Sequence, residues 1–296
     1  MPVTRRLPEW FKVPMPGGPN YMSLREQFRS EELHTVCEEA QCPNIGDCWE
    51  RGTATFMILG DVCTRACAYC AVTTGIPQGL DLQEPIRLAE TVERLGLRYV
   101  VITSVNRDDL PDGGAFIFAQ CVRQIRKRAP DCKVELLIPD YQGNWDALAS
   151  TMEARPDTLN HNIETVRRVF KRVRPQGEYD QSLELLRRVK EMSPGAVTKS
   201  GMMVGLGETW DEIVETMQDL RSADCDLLTI GQYLRPSQKH APIAKWYTPA
   251  EFDELRQEGE ALGFHHIASG PLVRSSYHAD EQHEAATLGG LTLTPV

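Results

Sequence analysis

Within eight residues, Cys63-Thr64-Arg65-Ala66-Cys67-Ala68-Tyr69-Cys70, three cysteines stand in the spacing CxxxCxxC, with an aromatic residue just before the third. Thiolates this close in the chain cannot be spread over a fold, so their sulfurs converge on one region. Thiolates hold iron–sulfur clusters. Three of them would ligate three irons of a [4Fe–4S] cube and leave the fourth iron without a protein ligand. An iron left open in this way can bind and reduce a small molecule. A zinc site is the competing reading, although structural zinc is normally closed by four ligands in paired half-sites. No histidine or fourth cysteine follows Cys70 within roughly twenty residues.

The pattern CxxxCxφC, with φ aromatic, resembles the signature of radical S-adenosylmethionine enzymes. The resemblance implies that the open iron takes the amino and carboxylate groups of S-adenosylmethionine. An electron from the cluster then cleaves the cofactor to a 5′-deoxyadenosyl radical.

A second group lies upstream: Cys37, Cys42 and Cys48, spaced CxxxxCxxxxxC, with Pro43, Asn44 and Gly46 favouring a tight, irregular loop. A zinc staple, or a set of unrelated small core residues, remains open for it. Six cysteines exceed what one zinc needs, so two separate clusters is the simpler count. The chain has nine cysteines in uneven spacings, which suggests metal sites before disulfides, and an odd number cannot pair completely within the chain. Cys121, Cys132 and Cys225 read as small buried residues.

A net charge of −10 argues against a general nucleic-acid binder. No apolar run reaches the ~18 residues of a membrane span, and the N-terminus lacks the apolar core of a secretory signal. A cytoplasmic, or other reducing, compartment is expected. Two basic runs stand out: Arg123, Arg126, Lys127 and Arg128, which reads as a solvated helix face, and Arg167, Arg168, Lys171, Arg172 and Arg174, which could receive an acidic partner.

Residues 1–30 carry five prolines, Pro2 to Pro19, and read as an extended segment wrapped on the surface, anchored by Trp10 and Phe11. From residue 54, strands and helices alternate. Strands are predicted at Ala54–Gly60, Tyr99–Thr103, Lys133–Ile138, Asp157–Asn162, Ala196–Val204 and Asp226–Tyr233. Helical spacing joins Ala115, Phe118, Val122, Ile125 and Ala129, and later Leu185, Val189 and Met192. Capping boxes at Thr209/Glu212 and Thr248/Glu251 each start a helix. Six βα units are too few to close the eight of a full barrel. The expectation is therefore an α/β fold, a partial (β/α)6 TIM-type barrel with N-terminal and C-terminal extensions. Its parts would be 1–50 with the upstream cysteines, 51–240 as the barrel, and 241–296 as the C-terminal extension.

Polar residues gather where these strands end, which is where a parallel barrel builds its active site. Asn162 and Glu164 are candidates for the cofactor ribose. Thr103 and Ser104 are candidates for its methionyl end and Arg174 for its carboxylate, with Leu234 on the same rim.

Taken over its whole length, the chain resembles the lipoyl synthase family. The resemblance rests on Pro8-Glu9-Trp10, the double cysteine triad, SVNRDDLPDGGA from Ser104 to Ala115, HNIETV from His161 to Val166, and RSSYHA from Arg274 to Ala279. It implies sulfur insertion at C6 and C8 of an octanoyl chain on a lysine of a lipoyl-carrier protein. It also implies that Cys63, Cys67 and Cys70 hold the cluster that cleaves S-adenosylmethionine, with Tyr69 near the adenine. Cys37, Cys42 and Cys48 would hold an auxiliary, sulfur-donating [4Fe–4S] cluster with Ser276, rather than Ser275, as fourth ligand. Partners would be an octanoylated lipoyl domain or glycine-cleavage H-type protein, docked in part by Arg167–Arg174, and an electron donor such as ferredoxin or flavodoxin. A biotin-synthase-like enzyme and a zinc-stapled binding module are the alternatives.

Overall fold

The computed structural model describes residues 53–288 without a break and, before them, the stretches 7–12, 16–18, 21–22, 25–26, 34–35, 42 and 44–50. Cys37 lies outside the described residues. The strands are β1 (His34–Thr35), β2 (Ala54–Ile58), β3 (Val62–Cys63), β4 (Thr73–Thr74), β5 (Tyr99–Ser104), β6 (Lys133–Leu137), β7 (Thr158–Asn160), β8 (Val197–Val204), β9 (Leu227–Gln232) and β10 (His266–Gly270). The helices are α1 (Ile45–Glu50), α2 (Glu84–Leu95), α3 (Ala115–Arg128), α4 (Trp145–Glu153), α5 (Arg167–Val173), α6 (Tyr179–Met192), α7 (Trp210–Ser222), α8 (Pro249–Ala261) and α9 (Ala279–Leu288).

One sheet takes β2, β5, β6, β7, β8, β9 and β10 in that order, all parallel, with β1 antiparallel on the outer edge of β2. Among the described residues nothing pairs β10 to the other edge, so the barrel they form is partial. Each of the six predicted strands is present, with ends shifted by no more than two residues. A seventh, β10, was not expected. Its sequence His-Ile-Ala-Ser-Gly has one β-branched residue and no alternation, so nothing local marks it. It forms because Ser269 and Ile267 pack on α8: the Ser269 hydroxyl donates to the Phe252 carbonyl at 2.7 Å, and Ile267 sits against Gly259.

Both capping boxes form as read, at Thr209 and Thr248. The proline-rich start is less extended than expected, since Glu9–Phe11 is a 3-10 turn. Phe11 is its anchor, buried against Trp246 at 5.2 Å between centroids, whereas Trp10 is 38% exposed. Cys121, Cys132 and Cys225 are buried, as read.

Apolar side chains of one strand face pack on the helices: Val100, Ile102, Val134, Leu136, Leu159, Leu228 and Ile230 are all buried in a single core. The opposite face looks into the barrel, and its lower layer is polar. Lys199 and Glu135 pair there at 3.1 Å with no exposure at all. Tyr99 donates to Glu135 at 2.9 Å, and Asn160 donates to its other oxygen at 2.9 Å. Helix α9 reaches this layer through His283, whose Nδ1 lies 2.9 Å from the Thr158 hydroxyl. The base of the barrel is thus plugged by a polar network in which Asn160 Oδ1 alone of the atoms named is left without a partner among the described residues, and the open volume lies above it.

Removing one member of a fully buried ion pair leaves an uncompensated charge, at a cost of about 3–5 kcal/mol. Lys199→Met should lower the unfolding free energy from urea melts by that amount, and the midpoint with it. The double change Glu135→Gln/Lys199→Met should recover most of it. Equal midpoints for the single and double variants would contradict the pairing.

Candidate active site at the upper rim of the barrel

Strand β2 is followed by Leu59 and Gly60, both at positive φ (69° and 89°), and this sharp exit delivers the chain to Cys63. A leucine in the left-handed region is strained. Glu84 secures it by accepting the Leu59 N–H at 2.9 Å. The loop from Cys63 to Gly75 then closes on itself, with β3 paired to β4 and Gly75 N–H on the Cys63 carbonyl at 2.9 Å. Three other segments hold it. Thr64 N–H donates to Asn106 O, and Ala68 N–H to Val173 O; Ala241 N–H donates to Ala68 O, and His240 Nε2 meets the Cys70 carbonyl at 2.9 Å.

The strongest tether is Arg65, which is 3% exposed. Its guanidinium makes bidentate contacts with Asp140 (2.6 and 2.7 Å) and with Asp108 (2.7 and 2.8 Å). Burial alone would raise the Asp140 carboxyl, but the Arg65 bonds outweigh it and hold the group down to about 2. Planar forks of this kind fix orientation as well as charge. Arg65 lay inside the motif without a role in the sequence reading. The available signal was an arginine between two ligand-type cysteines, with an aspartate after each of two neighbouring strands.

The three thiols sit within electrostatic reach of one another. Burial pushes Cys67 up and Cys70 up to about 11. Two backbone N–H groups already point at Cys63 Sγ, from Arg65 (3.4 Å) and Asn106 (3.3 Å), as they would at a bound thiolate. Among the described residues no three His, Cys, Asp or Glu side chains converge on a single-ion site.

Beside this loop opens a cavity of about 530 Å³, lined by Tyr69, Cys70, Asn162, Glu164 and Leu234 among the predicted residues. Its floor is made by residues that leave room: a Cβ on Gly201 would meet the Asn162 and Thr229 side-chain oxygens at 2.7 Å. Asn162 Oδ1 is buried without a partner, a group that asks for a donor such as a ribose hydroxyl. Glu164 adopts φ 70° and is held by backbone bonds to Gly201 and Met203. Strain of this sort persists where the surroundings over-determine it, commonly at functional sites. Burial raises the Glu164 carboxyl, with Arg174, Asn162 and Tyr69 opposing.

Thr103, Ser104 and Arg174 do not line the cavity. Thr103 donates to the Leu137 carbonyl, and Ser104 Oγ is buried and unpartnered. Arg174 is buried behind the cysteine loop, donating to Asn162 O at 3.2 Å and 3.6 Å from Asp140. Of the serine pair, Ser275 lines the cavity and Ser276 does not.

The segment that carries Cys42 and Cys48 reaches the same rim. Asn44, between Cys42 and Cys48, donates to the Leu272 carbonyl at 2.6 Å, and Asp47 lies 3.0 Å from His278. Burial raises the Cys42 thiol, and the nearby Arg274 guanidinium opposes it.

The basic run does not present free charge. Arg167 pairs with Asp180 and Asp219, Arg168 with Glu212, and Lys171 with Glu178, while Arg172 donates to the Leu206 carbonyl. Arg167, Arg168 and Lys171 remain about half exposed, and the expectation that the run helps dock an acidic partner is not decided by these pairs.

Residues 57–220 match the Radical SAM superfamily, and residues 3–42 match the N-terminal domain of lipoyl synthase of that family. A lipoyl synthase of Rubrobacter xylanophilus is 59% identical over 284 residues, 96% of this chain and 88% of that protein. One of Symbiobacterium thermophilum is 60% identical, over 95% and 88%. Among solved structures, the hydrogenase maturase HydG of Carboxydothermus hydrogenoformans has a TM-score of 0.59 at 12% identity, covering 90% of this chain and 68% of that one. Streptococcus suis SuiB, bound to S-adenosylmethionine, has a TM-score of 0.56 at 10% identity, over 82% and 58%. At these identities the likeness is one of fold.

Two outcomes follow from the geometry. Arg65→Met strips the counter-charge from buried Asp140, a change of about 3–5 kcal/mol. Reconstituted protein should then retain markedly less iron, with Arg65→Lys intermediate; unchanged iron in both would refute the tether. The second concerns His161, held between the Ile138 carbonyl and the Ser182 hydroxyl, where burial and then Arg174 lower it to about 4. An unfolded histidine titrates near ~6.5, so between the two values the unfolded chain binds more protons. Stability from this group is full above that window and is lost as pH falls through it. Wild type should lose roughly 2 kcal/mol more than His161→Gln between pH 7 and pH 5 in urea melts.

Proposed function

The chain belongs to the lipoyl synthase family of the Radical SAM superfamily, and we propose from that premise which of its residues carry the reaction. Sulfur insertion is the activity, and [4Fe–4S] clusters and S-adenosylmethionine are the cofactors. When bound, these groups supply an electron, a 5′-deoxyadenosyl radical that removes hydrogen atoms from C6 and C8 of a lysine-held octanoyl chain, and the sulfur.

Cys63, Cys67 and Cys70 hold the cluster that faces S-adenosylmethionine. Asn162 and Glu164 take the ribose hydroxyls, Tyr69 stands by the adenine, and Arg174 balances the carboxylate from behind the loop. Cys37, Cys42 and Cys48 hold the second cluster with Ser276. The Leu272–His278 loop that carries Ser276 is tied to the Cys42–Cys48 loop at Asn44 and Asp47. The observation that carries this reading is one cavity reached from both sides. Cys70 and Tyr69 line it from one motif, and Arg274 and Ser275 from the other.

No side chain need act as acid or base on the hydrocarbon. The protein's part is to orient the acyl chain and keep water out. Met202, Met203, Val273 and Leu234 supply apolar wall for that purpose. The acyl chain arrives on an octanoylated carrier domain, of the lipoyl or glycine-cleavage H type, and the electron from a small redox protein.

Anaerobic reconstitution should load about eight irons per chain. With S-adenosylmethionine, reductant and an octanoyl-lysyl peptide, mass spectrometry should show both deoxyadenosine and thiolated peptide. Cys42→Ala should keep deoxyadenosine and lose the thiolated product, whereas Cys67→Ala should lose both. Normal thiolation by Cys42→Ala would overturn the assignment.

A further inference from the structure

Arg274 is a cation without an anion. It lines the cavity and approaches Cys42, and among the described residues no carboxylate pairs with it. Among the described residues its hydrogen bonds run from Nη1 alone, to the Val273 carbonyl at 2.7 Å and the Gln232 carbonyl at 3.4 Å. These bonds, and the close approach of Nη1 to Gly231, fix the guanidinium at the end of β9. Among the described residues the remaining donors, Nε and Nη2, have no partner. A guanidinium has five N–H donors and cannot shed its proton, so an arginine held this way is a prepared anion site. Other guanidiniums near the site are engaged: Arg65 with two aspartates, Arg107 with Asp109, and Arg235 with its own loop carbonyls at Gln238 and His240.

We propose that Arg274 is the counter-charge of the group held by Cys37, Cys42, Cys48 and Ser276, and that it sets how readily this group accepts an electron. The inference rests on the reading above that those residues hold a cluster. A four-iron core with four anionic donors is net negative, and every electron added makes it more so. A fixed cation beside it stabilises the reduced form more than the oxidised form, which raises the reduction potential. The effect suits the reaction, because a carbon radical that bonds to a cluster sulfide leaves its unpaired electron on the iron. One C–S bond forms, and the irons together are reduced by one electron. Arg274 touches neither reacting carbon nor cofactor in this role; it tunes the acceptor.

The test isolates the upstream group by replacing Cys63, Cys67 and Cys70 with alanine, then reconstitutes the chain anaerobically with iron and sulfide. Potential is read by an electron paramagnetic resonance titration. Arg274→Gln should keep the iron of the parent and lower the one-electron equilibrium constant tenfold or more, about 59 mV. Arg274→Lys should restore most of the shift. Equal potentials in parent and Arg274→Gln, or loss of iron in both variants, would overturn the inference. A parent that binds no iron would instead sink the cluster reading itself, and the inference with it.

Discussion

A loop of three thiols has no reason to keep its shape. It carries little apolar surface, and before metal arrives its sulfurs gain nothing from standing together. The Arg65 fork solves this problem. Asp108 and Asp140 follow β5 and β6, so Arg65 ties the loop to the ends of two adjacent strands at once. The bonds are buried at the Asp140 end, where breaking them is costly. With His240 and Ala241 from beyond β9, and Val173 from the end of α5, the loop is held from four sides of the rim. The sheet is what makes this possible, since parallel strands bring residues separated by over a hundred positions to one edge.

The polar plug at the base complements the open rim. Glu135 and Lys199 fill the lumen with a pair that a solvated cavity would dissolve, and α9 seals it from below through His283. The same helix starts at Ala279, directly after the Arg274–His278 stretch. Anchoring α9 at the base therefore also fixes where that stretch meets the rim. Water exclusion and loop placement come from one element.

Much of the barrel was legible in the sequence because its signals are local. Alternation and β-branching mark β5 and β6, and capping boxes mark α7 and α8. The seventh strand was not legible: His-Ile-Ala-Ser-Gly is a strand only because β9 and α8 are already there. The site was legible as a set of types and not as an arrangement. Asn162 and Glu164 meet Tyr69 and Cys70 at one cavity, but Thr103 and Ser104 do not, because the residues that end β5 turn toward β6 and the core. The run from Arg167 to Arg172 looked free because its partners, Asp180, Glu212 and Asp219, lie on other helices. Charge along a sequence reports composition, while net charge on a surface depends on what folds against it.

The contrast between that run and Arg274 shows where an unpaired charge carries meaning. On the exposed face of α5 Arg167 and Arg168 have each found an acid, for little energy, because solvent screens such pairs. At the cavity rim, where screening is weaker and a lone charge costs more, Arg274 has found none. Among the described residues acids meet exposed cations and none meets this half-buried one, which is the basis of the proposal that an anion from outside the polypeptide pairs with it. Cys42, rising toward its neutral form as burial demands, becomes an anion only when it binds metal. The guanidinium and the thiolate donors are therefore compatible as a pair only in the loaded protein, and loading one side of the cavity makes the charge on the other side whole.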